Sequence, residues 1–128
     1  MTIKAARTQV MEDLASVGFT VHDHVPSRFA PPVVLVSTQD PYITEGDTLN
    51  ASQVFVHLEL YVVAGSGTNK TLTDRLDDMV EAVLFNLGDW HVDGVSAPFM
   101  ATANDAQYLS ARIQITSTTS IEGADHGG

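Results

Sequence analysis

The residues able to do chemistry fall into four short groups. His22-Asp23-His24 sets two imidazoles on one face of an extended segment, a spacing that suits a metal ion if His57 or His91 supplies a third ligand. His57 and Glu59 stand two apart, as do His91 and Asp93, so within a strand each pair shares a face and could act as acid and base. Gly65-Ser66-Gly67-Thr68-Asn69-Lys70-Thr71 joins an apolar run to a helical pattern, where a phosphate loop would lie. Each group also has a plainer reading. Two histidines ahead of a proline-rich turn are ordinary surface side chains. His57 and Glu59 fit a polar sheet face, with Arg112 set against Glu59 on a neighbouring strand. No nucleophile accompanies His91 and Asp93. The phosphate-loop pattern fails at both glycine positions, which hold Ala64 and Asn69. The expectation is no catalytic residue, no bound metal and no cofactor.

Composition narrows the classes further. The chain has 128 residues, 44% of them hydrophobic, with 16 acidic against 6 basic side chains, a net charge of −10 and no cysteine. That length suits one domain able to bury its own core without a metal or disulfide staple. Without cysteine there is no disulfide framework, thiolate zinc site or cysteine nucleophile. Lys4, Arg7, Arg28, Lys70, Arg75 and Arg112 are scattered, whereas binding to phosphate backbones needs clustered cations. Residues 1–17 lack the apolar centre of a signal peptide, and no run approaches the length of a membrane span. The chain is expected to be soluble and made in the cytoplasm.

The elements that must position these residues follow from periodicity. Ile3, Ala6, Val10, Leu14 and Val17 recur at helical spacing after Thr2, and Gly18 ends the helix. A short strand is expected over 19–24, then a proline loop, then a buried strand at Val33-Val34-Leu35-Val36. Residues 39–52 read as a long loop. Gln53 to Ala64 is a long strand with Val54, Val56, Leu58, Leu60 and Val62 on one face. A second helix, started by a capping box at Thr71 and Asp74, carries Leu72, Leu76, Met79, Val80, Val83 and Leu87 and ends at Gly88. Trp90 to Val95 is a weaker strand, 98–105 an irregular edge, and Gln107 to Ile121 an alternating strand. The order α-β-β-β-α-β-β predicts an α+β fold: a mostly antiparallel four- to five-stranded sheet with two helices packed on one face. The domain spans 1–121, and 122–128 is a flexible tail.

Several stretches resemble the tail terminator (tail completion) proteins of siphophages, particularly those of actinobacterial hosts. They are Gly18-Phe19-Thr20-Val21-His22-Asp23-His24-Val25-Pro26, Ala30-Pro31-Pro32-Val33-Val34-Leu35-Val36 with Asp40-Pro41-Tyr42, Leu58 to Ala64 with Gly65 and Thr68-Asn69, and Leu76-Asp77-Asp78-Met79-Val80-Glu81-Ala82-Val83. The resemblance covers roughly residues 5 to 120 in order and spacing, and none of its motifs is catalytic. It implies a small α+β subunit that closes into a homohexameric ring in the neck of the virion. Such a ring caps the tail tube protein, stops its polymerisation and meets the head-side stopper or connector. DNA passes through it without specific binding. It also implies assembly in the host cytoplasm and no membrane partner. The acidic charge agrees with a lumen that lets DNA slide past. Loop 39–52, with Tyr42, Ile43 and Leu49, and loop 65–70, with Gly65, Ser66, Thr68 and Asn69, are the expected interface. Rival readings are another neck protein, such as a stopper or head-tail adaptor, and a small metal-dependent enzyme built on His22 and His24.

Overall fold

The structure, a computed structural model, describes residues 3–45, 53–67, 69–88, 90–103 and 105–120. Helix α1 spans Ile3–Asp13, then come strands β1 (Thr20–His22), β2 (Val33–Glu45) and β3 (Gln53–Ser66). Helix α2 spans Lys70–Asn86, and β4 (His91–Val95), β5 (Phe99–Ala103) and β6 (Ala106–Ser120) complete the chain. The fold is α+β. The sheet has six strands rather than four or five, because 99–103, expected as an irregular edge, pairs with β6. Its order is β1-β2-β3-β6-β4, with β5 on the same side of β6 as β4. Only β1 against β2 is parallel.

The long alternation in β3 decides the layering. Val56, Leu58, Leu60 and Val62 are fully buried, while Phe55, His57, Glu59 and Tyr61 are half-buried on the other face. The buried set meets Ala111, Ile113 and Ile115 of β6, Val34 and Val36 of β2, and the apolar stripes of both helices in a single cluster. Both helices therefore cover the same face of the sheet. Each such side chain removed from water is worth about 2 kcal/mol. A smaller cluster of Val33, Leu35 and Val63 lies on the opposite face, where Phe29 folds over it with its ring 5.4 Å from that of Tyr108.

Several boundaries differ from the sequence reading, each for a local reason. Helix α1 stops at Asp13, not Val17, because its last bonds tighten from Leu14 N–H to Val10 to the shorter steps Ala15 to Glu12 and Val17 to Leu14. Its stripe still packs as expected, since Leu14 is buried and Val17 rests on the core. Helix α2 is capped by Asn69, not Thr71: the Asn69 side-chain oxygen accepts from the Leu72 N–H at 2.9 Å. Gly88 closes it at φ +55°, a left-handed position that favours glycine. Trp90 is not in β4; it is buried in the core, and its N–H bonds the Leu87 carbonyl.

The largest difference is at 39–45, expected as loop and found as strand. Pro41 cannot donate to a ladder, so a proline there reads as a break. The chain absorbs it in an irregularity instead: pairing runs from Thr38↔Leu58 directly to Ile43↔Val56, leaving three more residues on β2 than on β3. The Gln39 amide bridges the gap, donating to the Leu58 carbonyl at 2.9 Å and to the Ile115 carbonyl at 3.4 Å.

Three substitutions test the core packing and the helix cap. Leu60→Ala should cost about 3 kcal/mol, the general range for a buried leucine truncation. Asn69→Ala should cost about 1 kcal/mol, with Asn69→Ser close to neutral. Urea unfolding of the three variants measures both.

Candidate functional site

Across the face opposite the helices, polar side chains from four strands join in a line. Alternation places His57 on that face of β3 and Thr116 on that face of β6, directly opposite in register. The His57 Nε2 lies 2.7 Å from the Thr44 hydroxyl of β2, and its Nδ1 lies 3.0 Å from the Thr116 hydroxyl. Thr116 in turn donates to Asp93 Oδ2 of β4 at 2.5 Å. Asp93 is also 3.6 Å from His91 Nε2. Asp93 reaches Thr116 because it is the extra residue of a bulge: pairing passes from Val92↔Ile115 to Gly94↔Gln114.

Donor and acceptor roles follow from counting protons. A carboxylate only accepts, so the single Thr116 hydroxyl proton goes to Asp93. Thr116 must then accept from His57, which places the imidazole proton on Nδ1. In the neutral ring Nε2 accepts from the Thr44 hydroxyl. Hydroxyl, imidazole, hydroxyl and carboxylate stand in the order of a nucleophile, base and orienting group. The adjoining cleft, about 380 Å³, is lined by Phe55, His57, His91, Asp93, Thr116, Ser117 and Thr118. Thr44 is not among the residues of that lining. The line acts as a clamp across β2, β3, β6 and β4.

A second polar group sits further along the same face. Glu59, opposite Gln114 in register, accepts from Tyr61 Oη at 2.9 Å and from the Gln114 amide at 3.3 Å. Arg112 Nε lies 3.8 Å from Glu59, a diagonal rather than a direct pair. Arg112 is well exposed, so this ion pair is worth at most about 1 kcal/mol. Burial first, and the Glu59 carboxylate second, push the Tyr61 phenol above its ordinary range.

The remaining groups do not assemble into a site. His22 and His24 are tilted ring neighbours at 6.0 Å, and His24 Nδ1 is 2.7 Å from Asp23 Oδ1. That hydrogen bond holds the Asp23 carboxyl below its usual range. Among the described residues, no three of His, Cys, Asp and Glu gather closely enough to hold a metal ion. No described helix is long and apolar enough to cross a membrane.

The expected interface residues separate into two places. Tyr42 and Ile43 lie in β2, half-buried against the core, rather than in a loop. Gly65 and Ser66 end β3, paired with Leu109 and Tyr108, rather than opening a loop. A Cβ on Gly65 would come within 2.8 Å of Leu72 Cδ2, so the strand passes close to α2 there. Asn69 is spent on the helix cap. Ile43 pairs with Val56, ten residues before Ser66, so the two groups stand about 33 Å apart along β3. Leu49, Thr68 and the tail 122–128 lie outside the described residues.

Sequence reasoning missed Thr44, Thr116 and the orienting role of Asp93. Their signal was alternation, which already set Thr116 on the wet face; the bulge that brings in Asp93 leaves no mark in the sequence. Compared with known proteins, the chain matches no protein-family model and no curated protein.

Two outcomes check this geometry. Thr116→Val should cost about 1 kcal/mol in urea unfolding and release the His57 proton from Nδ1, read by long-range nitrogen–proton NMR of the ring. Glu59→Gln should lower the Tyr61 ionisation midpoint toward, but not to, the ordinary value, followed by tyrosinate absorbance. Because the folded-state value is raised, its contribution to stability is complete below pH ~10 and is lost as pH rises through the folded midpoint. That alkaline loss should be shallower in Glu59→Gln.

Proposed function

We propose that the chain is a structural subunit of a phage virion, a tail terminator that closes head to tail into a ring on the tail tube. The observation that carries this reading is the sheet's two open edges, on opposite sides of one subunit. Among the described residues, β2 beyond Leu35 has a ladder partner only in β3, and β4 and β5 pair only with β6. An open edge is a template for another chain. A rotational ring needs two different surfaces per subunit, one meeting the other on the next copy. The resemblance of the sequence to siphophage terminators gives six as the copy number. It also gives the tail tube and the head-side connector as the neighbours above and below.

The separation of the two residue groups supports the same reading. Tyr42 and Ile43 stand toward one end of β3, and Gly65 and Ser66 at the other. Surfaces so far apart suit two partners at once. The charge of −10 per copy disfavours adhesion of DNA to the ring wall.

Native mass spectrometry alone and with tail tubes tests this. A closed ring on the tubes, and abnormally long tubes when the protein is omitted from assembly, are the expected results. A chain that stays monomeric with tubes present and leaves their length unchanged overturns the reading. Binding to the portal-side adaptor instead of the top tube ring would reassign it as a stopper.

A further inference from the structure

On the helical side, a groove runs between the 16–19 segment and one stripe of α2. Val17, Phe19, Met79 and Ala82 give it apolar walls over a volume of about 540 Å³. It continues past Asp78 and Ala82 into a second lobe of about 490 Å³ that ends at Phe85. Phe85 is 89% exposed. It follows the buried Val83 by two residues, roughly 200° further round the helix, so it belongs to the groove side and not to the core.

The rim is acidic. Asp74, Asp78 and Glu81 line the groove, with Arg75 as the cation of its lining. Lys70 pairs with Asp74 at 2.9 Å, and Arg75 is turned to the Ala64 carbonyl. Asp78 and Glu81 have no ion-pair partner among the described residues.

We propose that this groove docks a polypeptide segment of another protein, one that presents an apolar anchor flanked by Lys or Arg. The anchor packs against Phe85, Ala82 and Val17, and the flanking cations meet Asp78 and Glu81. A second copy of this chain fits poorly. Four of its six basic side chains are already engaged within the chain, Arg7 on the Asp23 carbonyl, Lys70, Arg75, and Arg112 at Glu59, leaving Lys4 and Arg28 against 16 acidic groups. The carboxylate rim repels nucleic acid and anionic lipid. The inference goes beyond the ring reading and does not rest on it: a chain that fails to cap tubes would still bind such a segment.

Titrating the isotope-labelled chain with a synthetic amphipathic Leu/Lys peptide, and with a Leu/Glu peptide of the same pattern, tests it by NMR. The Leu/Lys peptide should shift the amides of Val17, Phe19, Ala82 and Phe85, and the Leu/Glu peptide should not. Phe85→Ala, Phe85→Gln and Asp78→Lys should each weaken binding about tenfold, while Asp77→Lys, on the same helix outside the groove, leaves it unchanged. Thermal unfolding confirms that each variant is folded. Shifts spread over the acidic surface, with Asp77→Lys as damaging as Asp78→Lys, would reduce the effect to general charge attraction and overturn the proposal. So would self-association of the free chain that Phe85→Ala abolishes, since the occupant would then be a second copy.

Discussion

The pairing of β3 with β6 is the constraint on which the rest of the molecule depends. Their ladder runs from Gln53↔Ser120 to Ser66↔Tyr108, through the middle of the sheet. Because side chains alternate with period two, a slip of one residue would turn Leu58, Leu60 and Ile113 outward and bring His57 and Arg112 into the core. That register is therefore held by burial on one face. Once it is held, β2 must lie along β3, β4 and β5 must share the far side of β6, and both helices must cover the apolar face.

The same register organises the opposite face. His57 meets Thr116 because they are directly paired, and Tyr61 and Gln114 meet Glu59 because they are its near neighbours on one face. Polar groups at these positions satisfy one another across strands instead of presenting unspent donors. That is why a face with two histidines and three charged groups reads as a clamp. Thr44, whose hydroxyl is nearest the imidazole, is not among the residues that line the adjoining cleft, whereas His57, Thr116 and Asp93 are. The surfaces proposed for partners lie instead at the sheet's edges and on the outer side of α2.

Much of the fold was legible because its signals are periodic. The β3 and β6 alternation, the α1 stripe and the α2 stripe all appear as the residues at those positions demand. What escaped was set by events that cost only a residue or two. Pro41 looked like a break because it removes a donor, yet an edge strand tolerates it where Gln39 replaces the lost pairing. Residues Phe99–Ala103 looked irregular, but the neighbouring β6 gave them a ladder. Asn69 outranked Thr71 as a cap because its side chain reaches the Leu72 N–H. Of the site, Phe85 carried a signal in plain sight, an aromatic residue off the apolar stripe of its own helix. The Asp93 connection carried none, since a bulge is a property of the pairing and not of one strand.

The irregularities also have a mechanical meaning. Ala64 is the extra residue where β3 pairing steps from Val63↔Ser110 to Gly65↔Leu109, and Asp93 plays that part in β4. Two strands pulled along their length yield by sliding past each other in register steps. An extra residue set into one strand acts as a notch, since it must travel the length of the ladder before the neighbours can slide. With an extra residue on each side of β6, neither neighbour can slip without moving its bulge along the ladder, so both pairings are pinned to one register.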